Sequence, residues 1–94
     1  MRSYQIKIVI EPYKSDEFTD SITSVSRSIR KQKGCLDFSL YRDSERENTY
    51  IVHSEWLTRQ AMEKHFKTRE YELVLGAIRV LGETFTIKKS RSDE

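Results

Sequence analysis

The segment that decides the fold runs from Gly34 to Trp56 and reads GCLDFSLYRDSERENTYIVHSEW. Residues 36–41 alternate between apolar and more polar side chains, which would place Leu36 on the same face as Phe38. Residues 49–57 divide into two alternating sets in the same way. A period of two is typical of strands, and the polar stretch between the two runs has the composition of a turn. The segment therefore predicts a β-hairpin.

Five residues mark the ends of three predicted helices. Ser15 is placed to cap the first helix, and Gly34 suits the left-handed residue that closes it. Thr58 and Thr68 are each placed to cap one of the next two helices, and Gly82 is predicted to end the last. The second helical region is therefore predicted to be split in two.

Two more strands frame the chain. Residues 4–11 alternate between apolar and polar side chains and predict a first strand. Residues 84–88 predict a last strand in which Phe85 and Ile87 point inward. The charged residues 89–94 are predicted to form a frayed tail of a single domain that spans 1–94.

The resulting order of elements is βαββαβ, which predicts an α+β, ferredoxin-like fold. In this arrangement the helices cover one face of a four-stranded antiparallel sheet and leave the other face open. Ile51 and His53 lie on the face of their strand opposite Tyr50 and Trp56, so large groups are expected on both faces. An open apolar face of this kind needs a partner. We therefore predict a homodimer in which two sheets face each other.

Composition narrows the class of protein. The 94 residues are 36% hydrophobic and 34% charged, and 17 basic residues are interspersed with 15 acidic ones. A nucleic-acid or membrane surface would need a basic stripe, and no apolar run reaches membrane-spanning length. The single cysteine, Cys35, permits no internal disulfide and is compatible with a reducing compartment. We expect a cytoplasmic protein with no nucleic-acid partner and no membrane partner.

The ordered set of motifs resembles the antibiotic biosynthesis monooxygenase (ABM) domain. No single piece of this pattern is specific, but their order along the chain is. The residues that carry the resemblance are Gly34-Cys35, Tyr41-Arg42-Asp43, Asn48, Glu55-Trp56, the helix ending in His65, and Tyr71. The resemblance extends from Tyr4 to about Lys88 and implies a dimeric α+β barrel, made by two ferredoxin-like sheets packed face to face.

The resemblance also implies a chemistry. Similar proteins include cofactor-independent oxygenases that act on quinols or anthrones, haem-degrading enzymes, and many proteins of unassigned activity. A cofactor-free oxygenase needs an electron-rich aromatic substrate that loses a proton, so that the anion gives an electron to O2. It needs no metal or flavin, and we expect no cofactor. The expected function is a monooxygenase acting on a small aromatic, quinol- or anthrone-like molecule. The alternative is a non-catalytic dimeric barrel that binds such a molecule as a sensor or scavenger.

Haem degradation is not expected from the same resemblance. The haem-degrading members place an axial histidine near what is here Leu75, and they carry an asparagine on the first strand. This chain has leucine at 75 and no asparagine between Tyr4 and Ile10. We therefore expect the chain not to bind haem.

Three residues are candidates for catalysis. His65 lies at the helix-end histidine position of the family pattern and is the expected proton acceptor or hydrogen-bond partner of the substrate hydroxyl; it could instead only pack the helix. Trp56 is expected to shape the aromatic pocket, although a large aromatic at a strand end also suits the core. His53 is the next candidate base, with a satisfied structural histidine as its alternative. The family's second histidine has no counterpart, since Glu70 stands there.

Four further residues are expected to contact the substrate. They are Tyr41, Arg42, Phe66 and Tyr71. Cys35 is interpreted as a small buried hydrophobic residue, because no histidine and acid accompany it at a recognisable spacing. A metal site is not expected, since the two histidines lie in separate elements without a nearby cysteine or carboxylate cluster.

Overall fold

The computed structural model describes residues 1–91. Its four strands and three helices follow the predicted βαββαβ order, with the second helical region split in two. A 3-10 turn at Pro12–Lys14 connects the first strand to the first helix. The elements are β1 (Arg2–Ile10), α1 (Ser15–Arg30), β2 (Cys35–Arg42), β3 (Thr49–Trp56), α2 (Arg59–His65), α3 (Arg69–Leu81) and β4 (Gly82–Arg91).

The four strands form one antiparallel sheet in the order β2-β3-β1-β4. The predicted ferredoxin-like α+β fold is therefore confirmed. Ile6 lies opposite Val52 on one side and opposite Ile87 on the other, so β1 occupies the middle of the sheet. In this register, side chains at even positions of β1 and β3 share the face that the helices cover.

The core lies between that face and the helices. Tyr4, Ile6 and Ile8 of β1 are fully buried, as is Val52 of β3. The apolar stripes of α1 and α3 pack against them, because both helices place an apolar residue at every third or fourth position. The buried residues on these stripes are Phe18, Ile22, Val25, Ile29, Tyr71, Val74, Ile78 and Leu81.

The opposite face of the sheet is open and mixed in polarity. Gln5 and Lys7 of β1 are exposed there, beside the half-buried Ile51 and His53 of β3. Tyr41 of β2 lies opposite Ile51 and is 54% exposed. The face therefore carries fewer apolar groups than the sequence suggested.

Three sequence expectations are corrected in β2 and β4. Leu36 is the extra residue of a bulge between Cys35 and Asp37 and is 51% exposed, so it does not share the buried position of Phe38. Phe85 and Ile87 point toward the helix side but remain 41% and 43% exposed. Lys89–Arg91 pair with β1 and are not frayed, whereas residues 92–94 lie outside the described part of the chain.

The helix ends agree with the sequence in most cases. Thr58 and Thr68 each accept a hydrogen bond from the backbone N–H three residues later, as expected of N-caps. Ser15 is the first residue of α1 and not its cap, and its hydroxyl is bonded to the hydroxyl of Tyr50. Gly34 has the predicted left-handed conformation, with φ of 83°, but it does not close the helix, because α1 ends at Arg30 with Lys31 as its C-cap.

Candidate functional site

His65 is the centre of the candidate site. It is the last residue of α2, and only 1% of its surface is exposed. The helix ends there because Thr68 begins the next one, and the Thr68 hydroxyl donates to the His65 carbonyl. The imidazole is thereby held between α2 and the covered face of the sheet.

Aromatic rings enclose the imidazole. Trp56 stacks on it with ring centroids 4.4 Å apart, and Tyr71 meets it edge-on at 5.1 Å. Phe66 lies 5.8 Å from the imidazole and 4.9 Å from Tyr71. Such offset and edge-on arrangements are favourable for ring pairs. The structure therefore brings together four of the residues that the sequence singled out.

A chain of hydrogen bonds runs through these rings. The Trp56 indole N–H donates to Ser54 Oγ at 2.6 Å, and the Ser54 hydroxyl bonds the Tyr4 hydroxyl oxygen. Tyr4 Oη lies 2.7 Å from His65 Nε2, and His65 Nδ1 lies 2.8 Å from Gln32 Oε1. An amide oxygen only accepts, so the Nδ1–H must donate to Gln32. Nε2 then accepts from the Tyr4 hydroxyl. The donors therefore all point the same way along the series, from Trp56 through Ser54, Tyr4 and His65 to Gln32.

Burial keeps the two ionisable members of this chain neutral. It lowers the pKa of His65 to about 4, although the negative charge of Glu70 partly opposes the shift. Burial also raises the pKa of Tyr4 far above its usual value of 10.0. At neutral pH the imidazole is therefore uncharged and presents one N–H donor, at Nδ1.

Gln32 connects this chain to a cavity. Within residues 1–91, its Nε2 is the one buried side-chain nitrogen or oxygen without a hydrogen-bond partner. An unpaired buried donor is costly and is rare in native proteins. A cavity of about 150 Å³ lies beside it, lined by Gln32, Lys33, Ala61, Lys64, His65 and Thr68. A side chain that lines the cavity therefore carries a buried amide N–H without a partner.

A wider, mostly apolar pocket of about 380 Å³ adjoins the cavity and shares Lys33, Ala61 and Lys64 with it. Leu57 and Gly34 also line this pocket, and the Leu57 N–H donates to the Gly34 carbonyl at 2.8 Å. A β-carbon on Gly34 would lie 2.5 Å from the β-carbon of Ala61. The loop after α1 and the first turn of α2 are thus in direct contact where they form the pocket wall.

The other predicted site residues lie elsewhere. Tyr41 and Arg42 are exposed at the end of β2, where they line a shallow groove with Ser15 and Tyr50. His53 lies on the open face of the sheet, between Gln5 and Glu55. The structure does not bring these three residues to the cavity beside His65.

Sequence reasoning missed Tyr4, Ser54 and Gln32. Ser54 offered a signal, because it is the one small polar residue among large groups on the covered face of β3, and a buried hydroxyl needs a partner. Tyr4 was recognised only as an alternating strand residue. Gln32 lies in a polar run that resembles any helix end, and nothing in the sequence distinguishes it.

The fold and this buried site define a small α+β protein with a cavity beside a neutral, ring-enclosed histidine. The family model described as antibiotic biosynthesis monooxygenase matches residues 1–74. The chain belongs to this family.

Two curated proteins are similar in sequence. The uncharacterized protein sll1783 of Synechocystis is 30% identical over 61 residues, which are 65% of this chain and 42% of that protein. The chain thus spans about two fifths of that relative's length. The Bacillus subtilis protein named "Putative monooxygenase YcnE" is 26% identical over 68 residues, which are 72% of each chain.

Solved structures share the fold at lower identity. A Deinococcus radiodurans protein, named as a "putative antibiotic biosynthesis monooxygenase", superposes with a TM-score of 0.91 at 15% identity, over 100% of this chain and 94% of that one. A conserved protein from Methanosarcina mazei gives 0.91 at 18% identity, over 98% and 92% of the two chains. Across residues 1–91, no helix has the length and apolar character needed to cross a bilayer.

Proposed function

We propose that the protein is a cofactor-independent monooxygenase that oxidises a small aromatic, quinol- or anthrone-like substrate with O2. The reacting ring would occupy the cavity beside His65 and the apolar pocket that adjoins it. The observation that carries the proposal is the pair of donors at the cavity wall. The His65 Nδ1–H donates to Gln32 Oε1, Gln32 Nε2 is unpaired, and both side chains line the cavity.

This geometry favours His65 as a hydrogen-bond donor to the substrate and not as its base. A pKa of about 4 makes the imidazole a weak proton acceptor beside a phenol, whose usual pKa is about 10. A neutral imidazole with a fixed Nδ1–H instead stabilises an oxyanion by donation. The substrate oxygen would replace Gln32 Oε1 on Nδ1 and accept from Gln32 Nε2 as well.

The reaction balances without a further reagent. The substrate hydroxyl or anthrone releases a proton to solvent, and the resulting anion gives one electron to O2. The substrate radical and superoxide combine at a ring carbon to form a peroxide anion, which takes up a proton. Loss of water leaves a carbonyl at that carbon. One oxygen atom enters the product, and the other leaves as water. The substrate itself supplies the two electrons that reduce this second oxygen atom.

The pocket residues support an aromatic anion as the reacting species. Ala61 and Leu57 supply apolar walls, and Lys33 and Lys64 place positive charge at the mouth. Together, the cavity and the pocket have a volume within the range of small-molecule sites, roughly 300–1,000 Å³. A single ring fits the cavity, and a fused ring system would extend into the pocket.

We also propose that the molecule works as a homodimer through the open sheet face. Val9 and Ile51 contribute apolar surface there, with the exposed Tyr41 at its border. Polar neighbours such as Lys7 would bond across the interface, since interfaces are about as apolar as ordinary surface. This face is separate from the His65 cavity, so each chain would hold its own site.

The test is oxygen uptake by untagged protein with a panel of naphthoquinols and anthrones. Wild type should consume one O2 per substrate oxidised and incorporate one atom of labelled oxygen into the product. Gln32→Leu should lower kcat/KM by roughly 100-fold or more, as loss of an oxyanion donor does. His65→Gln, which keeps a donor of similar size, should retain more activity than His65→Phe. Product without labelled oxygen, or equal rates in all variants, would refute the proposal.

The alternative is a binding protein without turnover. One observation favours it: both nitrogens of His65 already have partners, so the imidazole meets a ligand only if Gln32 moves. In that case the same quinols should bind with micromolar affinity and remain unoxidised. Binding measured by quenching of Trp56 fluorescence, without oxygen uptake, would identify this function.

A further inference from the structure

A second cluster of functional side chains lies on the open face of the sheet, away from the His65 cavity. Asp37 of β2 and Glu55 of β3 are directly opposite each other in the strand register. His53 lies two residues before Glu55 on the same face of β3. One ligand atom from each of the three residues lies within 4.8 Å of the other two. The sequence analysis expected no metal site because it foresaw no carboxylate cluster near either histidine. The structure places two carboxylates beside His53.

The two carboxylates need a positive charge between them. Like charges directly opposite in neighbouring strands destabilise a sheet. Among the ion pairs of residues 1–91, Glu55 meets only His53, at 3.2 Å, and Asp37 meets no cationic side chain. A bound cation would offset the repulsion between Asp37 and Glu55.

Neighbouring residues already orient the three side chains. The Ser39 hydroxyl donates to Asp37 Oδ1 at 2.8 Å. Gln5, the partner of His53 in β1, holds His53 Nδ1 at 3.0 Å through its side-chain amide. As placed, Gln5 Nε2–H donates to Nδ1, and the Nε2–H of a neutral His53 faces Glu55; a cation on Nε2 requires the Gln5 amide to rotate so that its oxygen accepts from Nδ1–H. Outer hydrogen bonds of this kind are typical of metal-binding histidines.

The bulge in β2 produces this arrangement. Leu36 is the additional residue, and it shifts Asp37 into register with Glu55. Bulges commonly redirect a side chain near a functional site. Without the bulge, Leu36 would stand opposite Glu55, and Asp37 would lie opposite Ser54 on the other face of the sheet.

We propose that Asp37, His53 and Glu55 form a binding site for one divalent transition-metal cation, for which Zn²⁺ is the probe. One imidazole and two carboxylates suit such an ion, whose bonds to nitrogen and oxygen are about 2.0–2.2 Å long. The ligand atoms have to converge only slightly from their present separation. Two carboxylates also balance the charge of the cation, and the remaining coordination positions would face the partner sheet in the proposed homodimer. This site is independent of the proposed oxygenase reaction.

The first experiment is equilibrium dialysis of untagged, chelator-treated protein against Zn²⁺, with metal quantified per chain. Wild type should retain one ion. His53→Gln and Asp37→Asn should each weaken binding at least tenfold, and Gln5→Leu should weaken it roughly 10- to 100-fold, as loss of an outer-shell partner does. The controls Cys35→Ser and Glu63→Gln, which lie outside the cluster, should bind as wild type does.

The second experiment separates binding from folding. Without metal, Asp37→Asn should melt at the same temperature as wild type or higher, because it removes the like-charge pair. With Zn²⁺, wild type should melt at a higher temperature, and Asp37→Asn should show no shift. Retention of less than one ion by wild type, or equal binding by His53→Gln, would overturn the proposal.

Discussion

Tyr4 and His65 are 61 positions apart in the chain, and a 2.7 Å hydrogen bond joins them in the interior. Tyr4 is on the central strand and His65 ends a short helix, so the bond ties α2 to the middle of the sheet. Neither side chain ionises near neutral pH. The hydrogen bond therefore has two roles. It fixes the position of α2 relative to the sheet, and it places the imidazole proton on Nδ1.

Removal of the Tyr4 hydroxyl should destabilise the fold. Tyr4→Phe keeps the ring contacts but leaves His65 Nε2 without a donor and the Ser54 O–H without its acceptor. We expect a loss of about 1–3 kcal/mol in the free energy of unfolding, measured by urea denaturation. Tyr13→Phe is the matched control, since Tyr13 is 80% exposed, and it should change stability little. Equal effects of the two substitutions would contradict the role given to the buried bond.

Acidification should destabilise the protein through His65. The pKa of His65 is about 4 in the folded chain and about 6.5 when unfolded, so the unfolded state binds more protons between these values. Stability from this group is complete above pH 6.5 and is lost as pH falls toward 4. The loss should reach about 3 kcal/mol, at about 1.4 kcal/mol per pH unit.

The measurement compares unfolding free energies of wild type and His65→Phe across this pH range. Their difference isolates His65 from the carboxylates that titrate in the same range. A difference that does not change between pH 6.5 and 4 would show that the folded pKa of His65 is not lowered.

Gly34→Ala should destabilise the contact between the pocket loop and α2. The new β-carbon would collide with Ala61, and the left-handed backbone at Gly34 is unfavourable for alanine. We expect a loss of about 1–3 kcal/mol in thermal or urea unfolding. Adding Ala61→Gly should recover the share of this free-energy loss that comes from the collision. The share that comes from the left-handed backbone should remain, so the two substitutions should be non-additive.

A matched glycine makes the interpretation specific. Gly76 lies within α3, and a β-carbon there meets no atom within 4 Å. Gly76→Ala should therefore stabilise the chain by about 0.5–1 kcal/mol, because alanine favours helix. If Gly34→Ala also stabilises, the close approach to Ala61 is not present in solution.

Charge on the open sheet face should disrupt the proposed homodimer. Wild type should behave as a dimer at micromolar concentration in light scattering and sedimentation. Ile51→Lys should give a monomer, or loss of soluble protein, because an unpaired charge buried at an interface is strongly unfavourable. Val80→Lys places the same charge on a residue of α3 that is 73% exposed and should leave the dimer intact. A folded wild-type monomer would contradict this prediction.

The local sequence was sufficient to predict the order of the elements and most of their ends. Alternation in β1 and β3, together with threonine caps at 58 and 68, depends on neighbours a few positions apart. The errors occurred where distant parts of the chain meet. The bulge at Leu36 and the exposure of Phe85 follow from how strands and helices overlap, which no local pattern reports.

The candidate site was predictable only in part for the same reason. His65, Trp56, Phe66 and Tyr71 carry family motifs, and the fold brings them together. Their hydrogen-bond partners Tyr4 and Gln32 are more than 30 positions away from His65, and ordinary residue types give no signal of a buried bond. The metal cluster likewise depends on cross-strand register and not on spacing along the chain.

The last strand has one further consequence, for solubility. β4 pairs with β1 on one side and ends the sheet on the other, and its TFTI segment exposes Phe85 and Ile87 beside unpaired backbone groups. Such an edge invites strands of other molecules to add to it. The exposed Lys88 and Lys89 follow directly, and the cations of two approaching edges would repel each other. The positive charge of Lys88 and Lys89 should therefore oppose aggregation through the exposed edge of β4.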